Sequence, residues 1–162
     1  MSAQLARLYC RRPANSRGFT LIELLITLAV LAIVTTIAAP NLATWITNTR
    51  VRTAASDLYA SMIYARSEAT KRNENVDIIA NAGGWNTGWR IEAGGTVLRQ
   101  QEPLSGELTI TEANNLTTVT YRRDGRLDGN AGATFTIASA TNPSAKTRTV
   151  GVDLSGRPRV QQ

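Results

Sequence analysis

Residues 19–39 form a run of helical length that is apolar except for its threonines and one acid, Glu23. Its 21 residues match the ~20 a helix needs to cross a bilayer. A charged side chain deep in such a helix costs roughly 2.5–3.5 kcal/mol on insertion scales. A plain anchor gains nothing from that cost, so Glu23 requires a partner charge. Two sources are open: an amine released by cutting the chain after Gly18, or a group on a neighbouring copy. Either way the acid marks a helix built to assemble. Thr20, Thr27, Thr35 and Thr36 are cheaper there, because their hydroxyls can bond back to the helix backbone. An ordinary secretory signal fits poorly, since it would carry an acid in its apolar region and a weak cleavage site ahead of Pro40. A simple single-pass anchor is the other alternative.

The preceding segment, residues 1–18, contains Arg7, Arg11, Arg12 and Arg17 and no acid. The positive-inside rule keeps such a leader in the cytoplasm and exports the chain beyond residue 39. Its removal takes the formal charge from +6 to +2, with 14 basic side chains left against 12 acidic ones. Cys10, the single cysteine, lies in that leader, so a processed chain holds no disulfide. Histidine is absent. Zinc sites of His/Cys type and Ser-His or Cys-His nucleophiles are therefore excluded. No lysine–serine or paired-carboxylate spacing stands out, and the expectation is no enzyme, no cofactor and no metal.

Beyond Pro40 the apolar period stays helical through Leu42, Trp45, Ile46, Ala54, Leu58, Met62, Ala65 and Ala69. Its second half reads as the face that packs on a domain core. The spacing predicts a helix to about Arg72, stopped by Asn73-Glu74-Asn75. After that, short β-type runs alternate with turn signals such as Gly83-Gly84, Gly94-Gly95 and Asp124-Gly125. Strands are expected at 76–80, 88–92, 96–100, 108–111, 117–122, 134–138, 147–153 and 158–160. Their abundant threonine suits sheets with one wetter face. The fold class expected is α+β, a long N-terminal helix packed on a C-terminal antiparallel β-sheet domain. The segments are 1–18 (leader), 19–39 (membrane and assembly helix), 40–74 (amphipathic continuation) and 75–162 (β-rich domain with a basic tail).

Gly18-Phe19-Thr20-Leu21-Ile22-Glu23 resembles the class III leader motif of type IV pilins and pseudopilins, in which cleavage follows the glycine and the fifth mature residue is glutamate. Arg66-Ser67-Glu68-Ala69, Arg72-Asn73, Gly88-Trp89, Asp124-Gly125-Arg126 and Gly156-Arg157-Pro158-Arg159-Val160 extend the likeness to the FimT/GspH family. The resemblance implies a pilin-like fold and a prepilin peptidase that cleaves between Gly18 and Phe19 and N-methylates Phe19. It implies partners among other pilin or pseudopilin subunits, with Glu23 as the docking residue. It also implies a single pass through the inner membrane, a periplasmic C-terminal domain, and entry into a pilus or pseudopilus. An H-type minor pseudopilin of a type II secretion system is the alternative within the class.

The last residues carry the mature chain's excess charge. Lys146, Arg148, Arg157 and Arg159 face only Asp153, and Pro158 stiffens the segment between the last two arginines. Guanidiniums so placed can fork onto phosphate oxygens. In the FimT branch a Gly-Arg-x-Arg tail is associated with DNA uptake, so Lys146, Arg148, Arg157 and Arg159 are candidate contacts for non-specific double-stranded DNA. A charged end that merely keeps the last strand soluble is the plainer alternative. Arg122, Arg123 and Arg126 are opposed by Asp124 and Asp128. Trp85 and Trp89 read as core residues before base-stacking ones.

Overall fold

The computed structural model describes residues 18–161, so the leader arginines and Cys10 lie outside the described residues. Helix α1 spans Leu21–Arg72. The chain clusters into two compact units that divide between Ala39 and Pro40. No single described helix is long and apolar enough to cross a membrane. The stretches Leu21–Thr36 and Asn41–Arg72 meet that requirement only as a pair, by length and composition.

In the first unit the helix starts with a reciprocal cap. The Glu23 amide donates to Thr20 Oγ1 at 3.2 Å, and Glu23 Oε2 accepts from the Thr20 amide at 3.5 Å. This satisfies two of the donors that every helix start leaves unpaired. Thr20 is thus a cap, where the sequence suggested a hydroxyl bonded back to the helix. Thr27, Thr35 and Thr36 do bond back, to the carbonyls of Leu24, Ala32 and Ile33 at 2.7–2.9 Å.

In the second unit α1 buries Val51, Ala54, Ala55, Leu58, Met62, Ala65 and Ala69. Steps of three and four residues put them on one stripe. Leu42, Trp45 and Ile46, the first half of the expected stripe, are exposed. The helix stops where Asn73 takes φ 54° and the Glu74 amide bonds the Ala69 carbonyl at 3.2 Å. That bond closes a left-handed C-terminal motif. One turn earlier, Glu68 accepts from Arg72 Nε at 2.6 Å and Lys71 Nζ at 3.4 Å.

Eight strands follow: β1 Val76–Ala80, β2 Trp89–Ala93, β3 Thr96–Gln101, β4 Leu108–Glu112, β5 Thr118–Tyr121, β6 Ala133–Ser139, β7 Arg148–Val152 and β8 Pro158–Gln161. They build two antiparallel sheets, ordered β3-β2-β1-β5 and β4-β6-β7-β8. Alternation decides which side chains turn inward. On β6, Ala133, Phe135 and Ile137 are buried while Thr134 and Thr136 are exposed. A 3-10 turn at Trp85–Thr87 ties the sheets together. Asn86 Oδ1 accepts from the Ile110 amide at 2.5 Å, and the Trp85 ring meets Phe135 edge-on at 4.7 Å. Both tryptophans belong to the core: Trp89 Nε1 donates to Ser61 Oγ at 2.9 Å and Trp85 Nε1 to the Leu116 carbonyl at 2.8 Å. Base stacking is not open to them.

Candidate functional site

The N-terminal candidates sit at the start of the first unit. Gly18, Phe19 and Glu23 are all exposed. From Leu21 to Val34 the helix presents large apolar side chains outward all round, as water would not tolerate over such an area. Glu23 is the one ionisable group among the described residues of this unit, and no described basic group pairs with it. Its carboxylate lies one turn from the bond between Gly18 and Phe19, within its own capping contact to Thr20.

The C-terminal candidates are held by a junction of three segments that are scattered in sequence. The turn at 122–126 closes through the Arg122 amide on the Arg126 carbonyl (2.8 Å) and the Gly125 amide on the Arg122 carbonyl (2.7 Å). Arg66 Nε donates to the Gly125 carbonyl at 3.0 Å and so fastens that turn to α1. Gly156 (φ 75°) lies against the same carbonyl, so closely that a Cβ there would stand 2.0 Å from the oxygen. The family-like fragments around Arg66, Gly125 and Gly156 are therefore one packing contact.

Asp153 shapes the segment leading into β8. Its Oδ1 accepts from the Ser155 hydroxyl, from the Ser155 amide at 2.9 Å and from the Arg157 amide at 3.4 Å. Its Oδ2 lies 3.6 Å from Arg159 Nη2. The Ser155 hydroxyl bond is the chief reason its carboxyl titrates below the usual carboxylate range, helped by the Arg157 and Ser155 amides and the Arg159 charge. Glu68 is likewise lowered, first by its bond to Arg72. Groups of this kind stabilise the fold fully above their unfolded pKa of about 4, and that stability is lost as pH falls through the lower folded value. We expect the melting temperature to drop between about pH 5 and pH 2, with a shallower slope in a Glu68→Gln, Asp153→Asn variant. Parallel thermal melts of the two proteins across that range check it.

The four basic candidates do not share one surface. Register pairs Thr134 with Gly151 and Gly151 with Arg159, placing Arg159 on the outward face of the second sheet, and Arg157, just ahead of β8, lines one hollow with it. Arg148 has the parity of the buried Val150 and Val152, opposite to them. Lys146 lies elsewhere, its amide bonded to Asn48 Oδ1 at 2.6 Å. Asn48 and Arg66 are about 27 Å apart along α1, so Lys146 and the Gly156 junction lie at opposite ends of the domain.

Sequence reasoning missed Glu112. It is buried, and it accepts from the amides of Asn114 (2.8 Å), Leu116 (2.7 Å) and Thr134 (3.2 Å). Its signal was the alternation Leu108-Thr109-Ile110-Thr111-Glu112, which carries an acid to an inward position.

Comparison with known proteins accords with this geometry. The structure is similar to that of the type IV minor pilin FimU of Pseudomonas aeruginosa (strain PAO1). In one crystal form the identity is 26%, covering 70% of this chain and 90% of that one, with a TM-score of 0.63. In a second form the TM-score is 0.59 at the same identity, covering 68% and 92%. The minor pseudopilin EpsH from the type 2 secretion system of Vibrio cholerae shares the fold at 11% identity, with a TM-score of 0.54 and coverage of 69% and 96%. No curated protein sequence matches the chain. The prokaryotic N-terminal methylation motif matches residues 13–39, and the profile of the Type II transport protein GspH family matches residues 54–156. The chain thus belongs to the GspH family and has the α+β fold of the pilins, with a prepilin-type N-terminus.

Proposed function

We propose that this chain is a minor subunit of a type IV pilus that acts in pilus biogenesis. It is made as a prepilin, cut after Gly18 by a prepilin peptidase and N-methylated on Phe19. It then waits in the inner membrane as a single-pass protein with its β-rich domain in the periplasm. The observation that carries this reading is the methylation motif joined to a domain 26% identical to a crystallised type IV minor pilin along 90% of that chain. The physical argument agrees. Cutting creates an amine at Phe19, one helical turn from the Glu23 of an adjacent subunit, so two charges costly in lipid neutralise one another. Membership of the GspH family supports the alternative, an H-type pseudopilin of a type II secretion system.

Glu23→Ala is expected to leave cleavage intact and to cut incorporation into filaments at least tenfold. The mass of the mature N-terminus and quantitative blots of sheared filaments read the two steps. Incorporation at the wild-type level removes Glu23 from docking. Deleting the gene separates the two machines, since loss of surface pili supports the first reading and loss of protein secretion the second.

A second reading, binding of double-stranded DNA during uptake, is favoured by the hollow that Arg157 and Arg159 line together beside Gly151. We expect Arg157→Ala, Arg159→Ala to weaken binding of duplex DNA by the full chain in detergent micelles. Each arginine that meets a phosphate adds about 0.9 to the slope of log affinity against log salt. A slope unchanged in the double variant takes these residues out of the interface.

A further inference from the structure

The outward faces of the two sheets are chemically unlike. On the first, Asp77 accepts from Thr120 Oγ1 at 2.6 Å, and Glu92 is paired with Arg90. On the second, the outward strand positions contain no acid. Thr111, Thr136, Thr149 and Gln161 lie in register as one row across all four strands, and Thr134, Gly151 and Arg159 form the next. The hydroxyls of Thr134, Thr136 and Thr149 bond no other described residue. Thr136 and Thr149 are direct cross-strand neighbours, on strands about 4.8 Å apart.

Gly151 is the odd member. Its φ lies outside the left-handed region, and a Cβ built there meets nothing within 4 Å. Neither backbone conformation nor packing requires glycine, which weakens a strand interior. A strand glycine often marks a bulge, a bend or a close approach of ligand or backbone. The register around Gly151 is regular and no other backbone is near, which leaves the ligand. Here the missing side chain leaves a dent, and the hollow around it is lined by Thr134, Asp153, Arg157, Arg159 and Gln161. The Arg159 side chain is 70% exposed and commits only Nη2, to Asp153, leaving most of its guanidinium donors free.

We infer that this dent holds a phosphate group of a DNA backbone, with Gly151 as its floor, Thr134 and Gln161 as neutral donors and Arg157 and Arg159 as the cationic rim. The inference rests on the DNA reading above and deepens it, moving the contact from a tail onto a sheet face. Backbone oxygens suit such a site, because hydroxyls, amides and guanidiniums all donate to phosphate without reading sequence. Asp153 opposes the anion and competes for Arg159.

The test is fluorescence anisotropy of a labelled mixed-sequence duplex with the full chain in detergent micelles, alongside thermal melts. Gly151→Val is expected to bind about tenfold more weakly, as for the loss of one hydrogen-bonded charged contact. It should melt no lower than wild type, because a β-branched residue suits an open strand position. Gly151→Ala, whose Cβ meets empty space, serves as the milder variant should valine disturb the sheet. Thr134→Val weakens binding at constant shape. Asp153→Asn keeps the Oδ1 acceptor, removes the competing charge and tightens binding. Wild-type affinity in both Gly151 variants overturns the site. If the double arginine variant is weakened at the same time, tail-mediated binding stands without it. A wild-type chain that binds no duplex removes both.

Discussion

Gly156→Ala is expected to destabilise the globular unit by about 2–5 kcal/mol. The left-handed backbone of an alanine at φ 75° costs about 1–2 kcal/mol. The larger part is steric, since the new methyl would sit 2.0 Å from the Gly125 carbonyl oxygen and 3.2 Å from Arg126 Cα. Both obstacles are backbone. Relief requires shifting the 122–126 turn that Arg66 holds, with an overpacking cost of about 1–3 kcal/mol. For a domain of this size the change lowers the melting temperature by roughly 10–20 °C. Gly95→Ala is the control: it has a comparable φ of 80° but nothing within 4 Å, so it isolates the conformational part. If both variants melt alike, the contact with Gly125 contributes nothing.

The second large effect is expected at Glu112. Its buried carboxylate serves three backbone amides, two in the 113–117 loop and one on β6. Glu112→Ala leaves those donors to find water in a loop that was shaped around the acid. Hydrogen bonds to a charged acceptor contribute about 1.5–3 kcal/mol each, but the freed loop recovers part of the loss. The net cost expected is about 3–4 kcal/mol. Amide exchange locates the effect: the Asn114 and Leu116 amides should lose protection well before those of β1 and β2. Glu112→Gln retains one oxygen and should fall between the two. Unchanged exchange at Asn114 and Leu116 would mean that the loop holds itself.

These two positions show where the sequence was legible and where it was not. Helix α1 was readable to its last residue, because its apolar period ends against Asn73, whose side chain tolerates a left-handed backbone. The strands were readable because threonine and aliphatic residues alternate between turns. Their division into two sheets was not. Nothing local states that β4 pairs with β6 and not with β3. Glu112 was missed because the expected strand stopped at residue 111, one short of the inward position that makes an acid there notable. The fragments around Arg66, Gly125 and Gly156 were visible separately, but their convergence is a tertiary contact across 90 residues of chain. Charge and proximity in sequence are all that single out the basic candidates. A strand sends neighbours to opposite faces, so proximity could not tell Arg148 from Arg159.

The contact among Arg66, Gly125 and Gly156 also imposes a schedule. Its three parts leave the ribosome in that order, and the domain cannot lock until the last has emerged. Until then the 122–126 turn has only the helix to rest on, and β7 lacks its neighbour β8. A polypeptide made from its amino end therefore holds its finished shape in reserve. Its β-rich unit is complete only when synthesis is nearly done.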